Sequence, residues 1–119
     1  MRNHEKPDAH RLADELAYRV HVLTRSFPKH ELFGLTSQLR RAVVSVPSNV
    51  VEGRARSTTR EYARFLEMAY GSCREVCCQL CLARRLEYSR EPDHAEVHSI
   101  AASTAKTLAR LVSAMATRM

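Results

Sequence analysis

Apolar residues return at three- and four-residue steps in four separate stretches of the chain, with polar residues between them. That is the 3.6-residue period of an amphipathic helix, not the alternation of a half-buried strand. The first stretch, about 8–25, carries Ala9, Leu12, Leu16, Val20 and Leu23 as one stripe. Pro28 ends it, because proline lacks an amide hydrogen and restricts the residue before it. Phe27, in the turn, is expected to fold back as a plug over the bundle end. The second stretch, about 32–53, carries Leu32, Leu35, Leu39, Val43, Val46 and Val50. Gly34 disfavours an early start by about 1 kcal/mol relative to Ala, so Phe33 and Thr36 are alternative starts. Pro47 lies inside this pattern and predicts a kink rather than a break, since the stripe stays in phase to Val50. Gly53 is placed as its C-cap.

Thr58 followed by Glu61 is a capping box and starts the third stretch, about 58–87. Tyr62, Leu66, Ala69, Cys73, Cys77 and Leu80 line one face, widened by Phe65, Val76 and Ala83. Gly71 and Ser72 suit a close helix–helix approach. Asp93 and Glu96 read as a second capping box, opening the fourth stretch, about 93–117. Its stripe is Val97, Ile100, Ala101, Thr104, Leu108, Leu111, Val112 and Met115. The β-branched run at 43–51 keeps helical spacing and has no hairpin turn. Four helices with short connections imply antiparallel neighbours. The expected fold is all-α: one domain, 1–119, an up-and-down antiparallel four-helix bundle with its second helix kinked at Pro47.

Length and composition sharpen this. At 119 residues with 45% hydrophobic residues, three Gly and no Trp, the chain can pack one core and is too apolar to be disordered. It is too short for a large enzyme. No apolar run approaches the length of a membrane span. Residues 1–10 are charged and do not read as a secretory signal. With four Cys crowded between 73 and 81, no disulfide framework can form, and a reducing cytoplasm is the default compartment.

Enzymatic chemistry finds little footing. Cys73, Cys77 and Cys81 share one side of the third helix and Cys78 lies off it. A zinc site needs four tetrahedral ligands, which one straight helix cannot supply. The expectation is small buried apolar residues, ahead of a metal or redox role. His94 and His98 are four apart with no H-E-x-x-H motif and read as a surface pair. Glu52, Glu67 and Glu75 lack the E-x-x-H partner of a bundle metal site, and Glu67 and Glu75 are expected to pair with Arg across an interface. No cofactor and no metal are expected, and no phosphate loop or dinucleotide fingerprint is present.

Charge is more informative. The net charge is +6, and the basic side is almost all Arg, with Lys only at 6, 29 and 106. Arg40, Arg41, Arg54, Arg56, Arg60 and Arg64 face only two Glu between 38 and 64. Arg56, Arg60 and Arg64 step by four and should align along one edge. That edge is a candidate contact for RNA or DNA phosphates, against the alternative of a solvated face with Arg–Glu pairs. Val44, Val51, Met68 and Leu82 exceed what one bundle face can bury, so a partner surface is expected.

The runs Phe33-Gly34-Leu35-Thr36-Ser37-Gln38-Leu39-Arg40-Arg41 and Pro47-Ser48-Asn49-Val50-Val51-Glu52-Gly53 carry a resemblance. With Arg56, Ser57, Glu61 and the stretch 64–72, they resemble the four-helix-bundle family encoded in bacterial 23S rRNA intervening sequences, also called the S23 ribosomal protein family. The resemblance covers most of the chain. It implies a non-enzymatic homo-oligomer, a ring of five with a central channel, and a relation to the accessory variability proteins of diversity-generating retroelements, which work with nucleic acid. It marks Pro47, Asn49, Glu52, Gly53, Ser57 and Gly71 as structural signature positions. Two departures stand out. His10 replaces a common Trp, and Cys77 replaces the second acid of a Glu-Leu-Glu pattern in the third helix. The functional expectation is a homo-oligomeric bundle contacting RNA or DNA through its arginines, with a structural or protein-interaction scaffold as the alternative.

Overall fold

The computed structural model describes residues 8–119. The charged segment before Asp8, which bears on the leader expectation, lies outside the described residues. Four helices follow one another: α1 (Ala9–Thr24), α2 (Leu35–Arg54), α3 (Thr59–Arg85) and α4 (Asp93–Ala116). A short 3-10 turn, Lys29–Glu31, lies between α1 and α2. The described residues contain no strand. α1 and α3 each pack on both α2 and α4, so the helices close an up-and-down four-helix bundle measuring 45 × 27 × 18 Å. At 1.5 Å per residue, the 27 residues of α3 nearly span the long axis.

The core follows the stripes. Leu16, Leu39, Leu66, Leu80 and Leu108 are fully buried, with Val20, Val43, Val46, Val50 and Val76 between them. Phe27 is buried against Tyr88, ring centroids 5.6 Å apart, and closes one end of the bundle as the turn predicts.

Capping meets expectation at α3 and departs from it at α4 and α2. The Thr58 box is seen from its hydroxyl side: Oγ1 accepts the Glu61 amide at 3.1 Å. At α4 no side chain of Asp93 or Glu96 caps the helix. Instead Glu91, just upstream, accepts the Ala95 amide at 3.1 Å, because the helix begins at Asp93 itself. At α2 the start lies at Leu35, later than 32. The carboxylate of Glu31 reaches over Gly34 and accepts the Leu35 amide at 3.0 Å. A Cβ on Gly34 would sit 2.5 Å from that carboxylate oxygen. Leu32 and Phe33 are left exposed in the turn, so Leu32 does not join the stripe.

Neither glycine has its expected role. Gly53 is not a C-cap. It is buried within α2, which runs on to Arg54, and a Cβ there would meet the Phe65 Cβ at 2.8 Å. It marks a close approach between α2 and α3. Gly71, expected in that role, is exposed, with no heavy atom within 4 Å of where its Cβ would lie. α2 continues unbroken through Pro47. The side chain of Asn49 donates to Ser45 O at 2.7 Å, and the Ser45 hydroxyl to Ala42 O at 2.7 Å, adding local bonds beside the proline.

Candidate interaction surface on α2 and α3

Four of the six singled-out arginines are engaged within the chain. Arg40 turns toward α1, where its Nε donates to Thr24 Oγ1 at 2.8 Å and its Nη2 to His21 O at 3.5 Å. Thr24 is itself buried, and its hydroxyl donates to Val20 O at 2.8 Å. Arg41 pairs with Glu75 across α2 and α3 at 3.5 Å, and Glu75 also accepts from Gln79 at 3.0 Å. Glu75 therefore has its arginine, but from α2 of the same chain rather than across an interface. Arg54 pairs with Asp8, the N-cap of α1, whose side chain also accepts the His10 amide. Burial works to raise the Asp8 pKa, but the bonds from Arg54 and His10 outweigh it and hold the carboxyl below its ordinary value.

Arg56 lies in the α2–α3 connection. Its guanidinium stacks over Phe65 at 5.1 Å while Nε donates to Glu52 O at 3.2 Å. Arg60 and Arg64 sit one turn apart on α3 and line an open groove with Glu67 and Met119. The expected line of three is therefore a pair on the helix, with Arg56 held on an aromatic face beside it. Ser57 is exposed in the same connection.

The apolar excess is where the pattern placed it. Val44, Val51, Met68 and Leu82 are 45%, 50%, 45% and 44% exposed. Val44 and Val51 are seven residues apart on α2. Met68 and Leu82 are two heptads apart on α3, with Glu75 midway. The Arg41–Glu75 pair ties the two strips to one outer face of the bundle. Gly71 and the exposed Cys78 fall three and ten residues after Met68, on the other line of the same heptad seam.

The cysteines divide. Cys73 is in the core, its Sγ donating to Ala101 O at 3.4 Å. Cys77 is half-buried, and Cys78 and Cys81 are exposed. Core burial was expected for the group; it holds for Cys73 alone, because Val76 and Leu80 take the adjoining inward positions. Cys77 faces an open groove of about 350 Å³ between α3 and α4, with Tyr70, Arg74, His98 and Lys106 around it and alanines of α4 beneath. No sequence motif marks this grouping, since its members come from two helices about 30 positions apart. His94 and His98 stack at 5.5 Å and are both half-buried, where a surface pair was expected. Among the described residues no group of three or more His, Cys, Asp or Glu could hold a metal ion, and no helix is long and apolar enough to cross a membrane.

These features define a class: a small antiparallel four-helix bundle with arginine and exposed aliphatic residues on one outer face. Within that class, the chain belongs to the 23S rRNA-intervening sequence protein family, whose profile matches residues 5–110. A crystal structure of a protein with unknown function from the S23 ribosomal protein family of Bacteroides thetaiotaomicron VPI-5482 shares the fold. Its TM-score is 0.81 at 18% identity, over 88% of this chain and 98% of that one. No curated protein matches the chain.

Proposed function

We propose that this chain is a non-enzymatic subunit of a homo-oligomeric helical scaffold in the cytoplasm, assembled through the outer face of α2 and α3. The observation that carries the reading is the seam of Val44, Val51, Met68 and Leu82, uncovered by its own chain. Apolar residues at heptad spacing on a long helix are what a second helix packs against. Gly71 strengthens it. A glycine inside a helix costs about 1 kcal/mol relative to Ala, and none of the described residues comes close enough to need it. A neighbouring subunit approaching along the seam supplies the reason. The family resemblance makes five copies the expected number. Multi-angle light scattering should then give five times the 13.5 kDa chain mass. Met68→Glu should give a folded species of one chain mass. A wild-type protein that stays monomeric at high concentration overturns the reading.

Contact with RNA or DNA is the second reading, favoured by Arg60 and Arg64. They lie side by side in an open groove and, unlike Arg40, Arg41 and Arg54, show no ion pair or bond into the bundle among the described residues. Assembly would multiply the +6 of each chain and strengthen attraction to a polyanion. Arg60→Gln/Arg64→Gln should then weaken binding to a single-stranded RNA or a duplex DNA and flatten its salt dependence. Unchanged binding, or none by the assembled wild type, rejects it and leaves the protein-only scaffold. The accessory role in diversity-generating retroelements would be a special case of this second reading.

A further inference from the structure

We propose that Cys77 is a thiol-modification site for anionic low-molecular-weight disulfides, which dock in the basic groove between α3 and α4. Geometry separates this thiol from the other three. Cys73 is sealed in the core. Cys78 and Cys81 are exposed but lie outside the groove. Cys77 alone is both reachable and surrounded: Arg74 is on its own helix, while Lys106 and His98 face it from α4, and no carboxylate lines the groove. About 350 Å³ is room for one peptide-sized or aryl half of such a disulfide.

The neighbours also prepare the sulfur. The Cys73 thiol one turn upstream can donate to the Cys77 thiolate, and Arg74 adds a favourable charge; against the cost of burial, they bring the Cys77 pKa down to about 7. The Cys73 proton has two acceptors. It rests on Ala101 O at 3.4 Å while Cys77 is neutral, and ionised Cys77 is the stronger acceptor. Cys73 itself is pushed the other way, first by that bond and then by burial, and remains protonated.

The step is thiol–disulfide exchange. The Cys77 thiolate attacks one sulfur of the reagent, and a protein–reagent S–S bond forms as the reagent's own S–S bond breaks. The displaced half leaves as a thiolate and takes a proton from water. Cys77 is oxidised and the departing half is reduced, so the reagent is the oxidant and no other is needed.

The test uses the full chain as Cys78→Ser/Cys81→Ser, so that Cys77 is the reachable thiol, with oxidised glutathione and the neutral bis(2-hydroxyethyl) disulfide as probes. The glutathione rate should rise with pH around an inflection near 7. Lys106→Glu in the same background should slow glutathionylation by about tenfold, as reversal of one nearby charge in a solvated groove does. It should slow the neutral reagent far less, because that reagent senses the new charge only through the ionisation of Cys77. Equal slowing of both reagents, or of neither, overturns the proposal. In the otherwise unaltered protein, tandem mass spectrometry should place the first glutathione adduct on Cys77. A first adduct on Cys78 or Cys81 overturns it independently of any Lys106 variant.

Discussion

Gly53 shows how much one missing methyl group can decide. Its Cβ would lie 2.8 Å from the Phe65 Cβ and 3.0 Å from Tyr62 Cδ1. The Phe65 Cβ is fixed by its own backbone and cannot swing aside. Alanine would gain about 1 kcal/mol in helix propensity and meet an overpacking cost of about 1–3 kcal/mol. Gly53→Ala should therefore lower stability, by about 1 kcal/mol, in urea titration. Arg40 makes the complementary point. In the sequence it is one more cation in a basic run, yet its Nε is turned onto buried Thr24. Nothing in the pattern separates Arg40 from Arg41, because the distinction depends on where α1 lies.

The helix ends carry the next level of information. Glu31 accepts the Leu35 amide at the start of α2 and, with its other oxygen, the Tyr88 hydroxyl at 2.9 Å. The bond from Leu35, then that from Tyr88, hold its pKa below the ordinary 4.5. A depressed folded-state pKa means that the contribution to stability is present above the unfolded value. It is lost as pH falls from about 4.5 through the lower folded value. Glu31→Gln should flatten the acid limb of a melting-temperature profile below pH 5 and leave the profile's shape near neutrality unchanged. At the same end of the bundle, α3 stops where Glu87 takes φ 64, with Tyr88 N donating to Ala83 O at 2.9 Å. That is a glycine-type helix stop occupied by a residue with a Cβ. Glu87→Gly should stabilise the protein by about 1 kcal/mol in the same titration. The stripes and the end at Thr58 were legible because they rest on local periodicity and a bond three residues long. The caps supplied by Glu31 and Glu91 were not, because each starts outside the helix it serves.

For the whole molecule, Gly71 and the apolar seam set a test in which stability and assembly move apart. On a Met68→Glu background, where the chains are expected to be separate, Gly71→Ala should raise stability by about 1 kcal/mol, since no atom of the same chain opposes the new methyl. With Met68 intact, the same substitution should weaken assembly, read as a higher dissociation midpoint on dilution in sedimentation velocity. A glycine kept only for tolerance would leave assembly untouched. The division of arginines also belongs to this scale. Arg41 and Arg54 fasten elements of one chain through Glu75 and Asp8, whereas Arg60 and Arg64, of the same six arginines, line an open groove.

By itself the sequence determined four amphipathic helices, their order, most of the inward positions, and an excess of aliphatic residues on the second and third. These are properties of spacing along a 3.6-residue period, and short connections leave antiparallel packing as the economical closure. Tertiary structure alone decided which arginines are spent on the bundle, which glycine marks the helix crossing, and which cysteine meets the basic groove. Each of these depends on what a neighbouring helix brings within a few ångströms. That neighbour is 12 to 34 residues away at Phe65 from Gly53, at Thr24 from Arg40, at Ala101 from Cys73 and at Glu75 from Arg41. A period read along one helix carries no record of the residue that will face it.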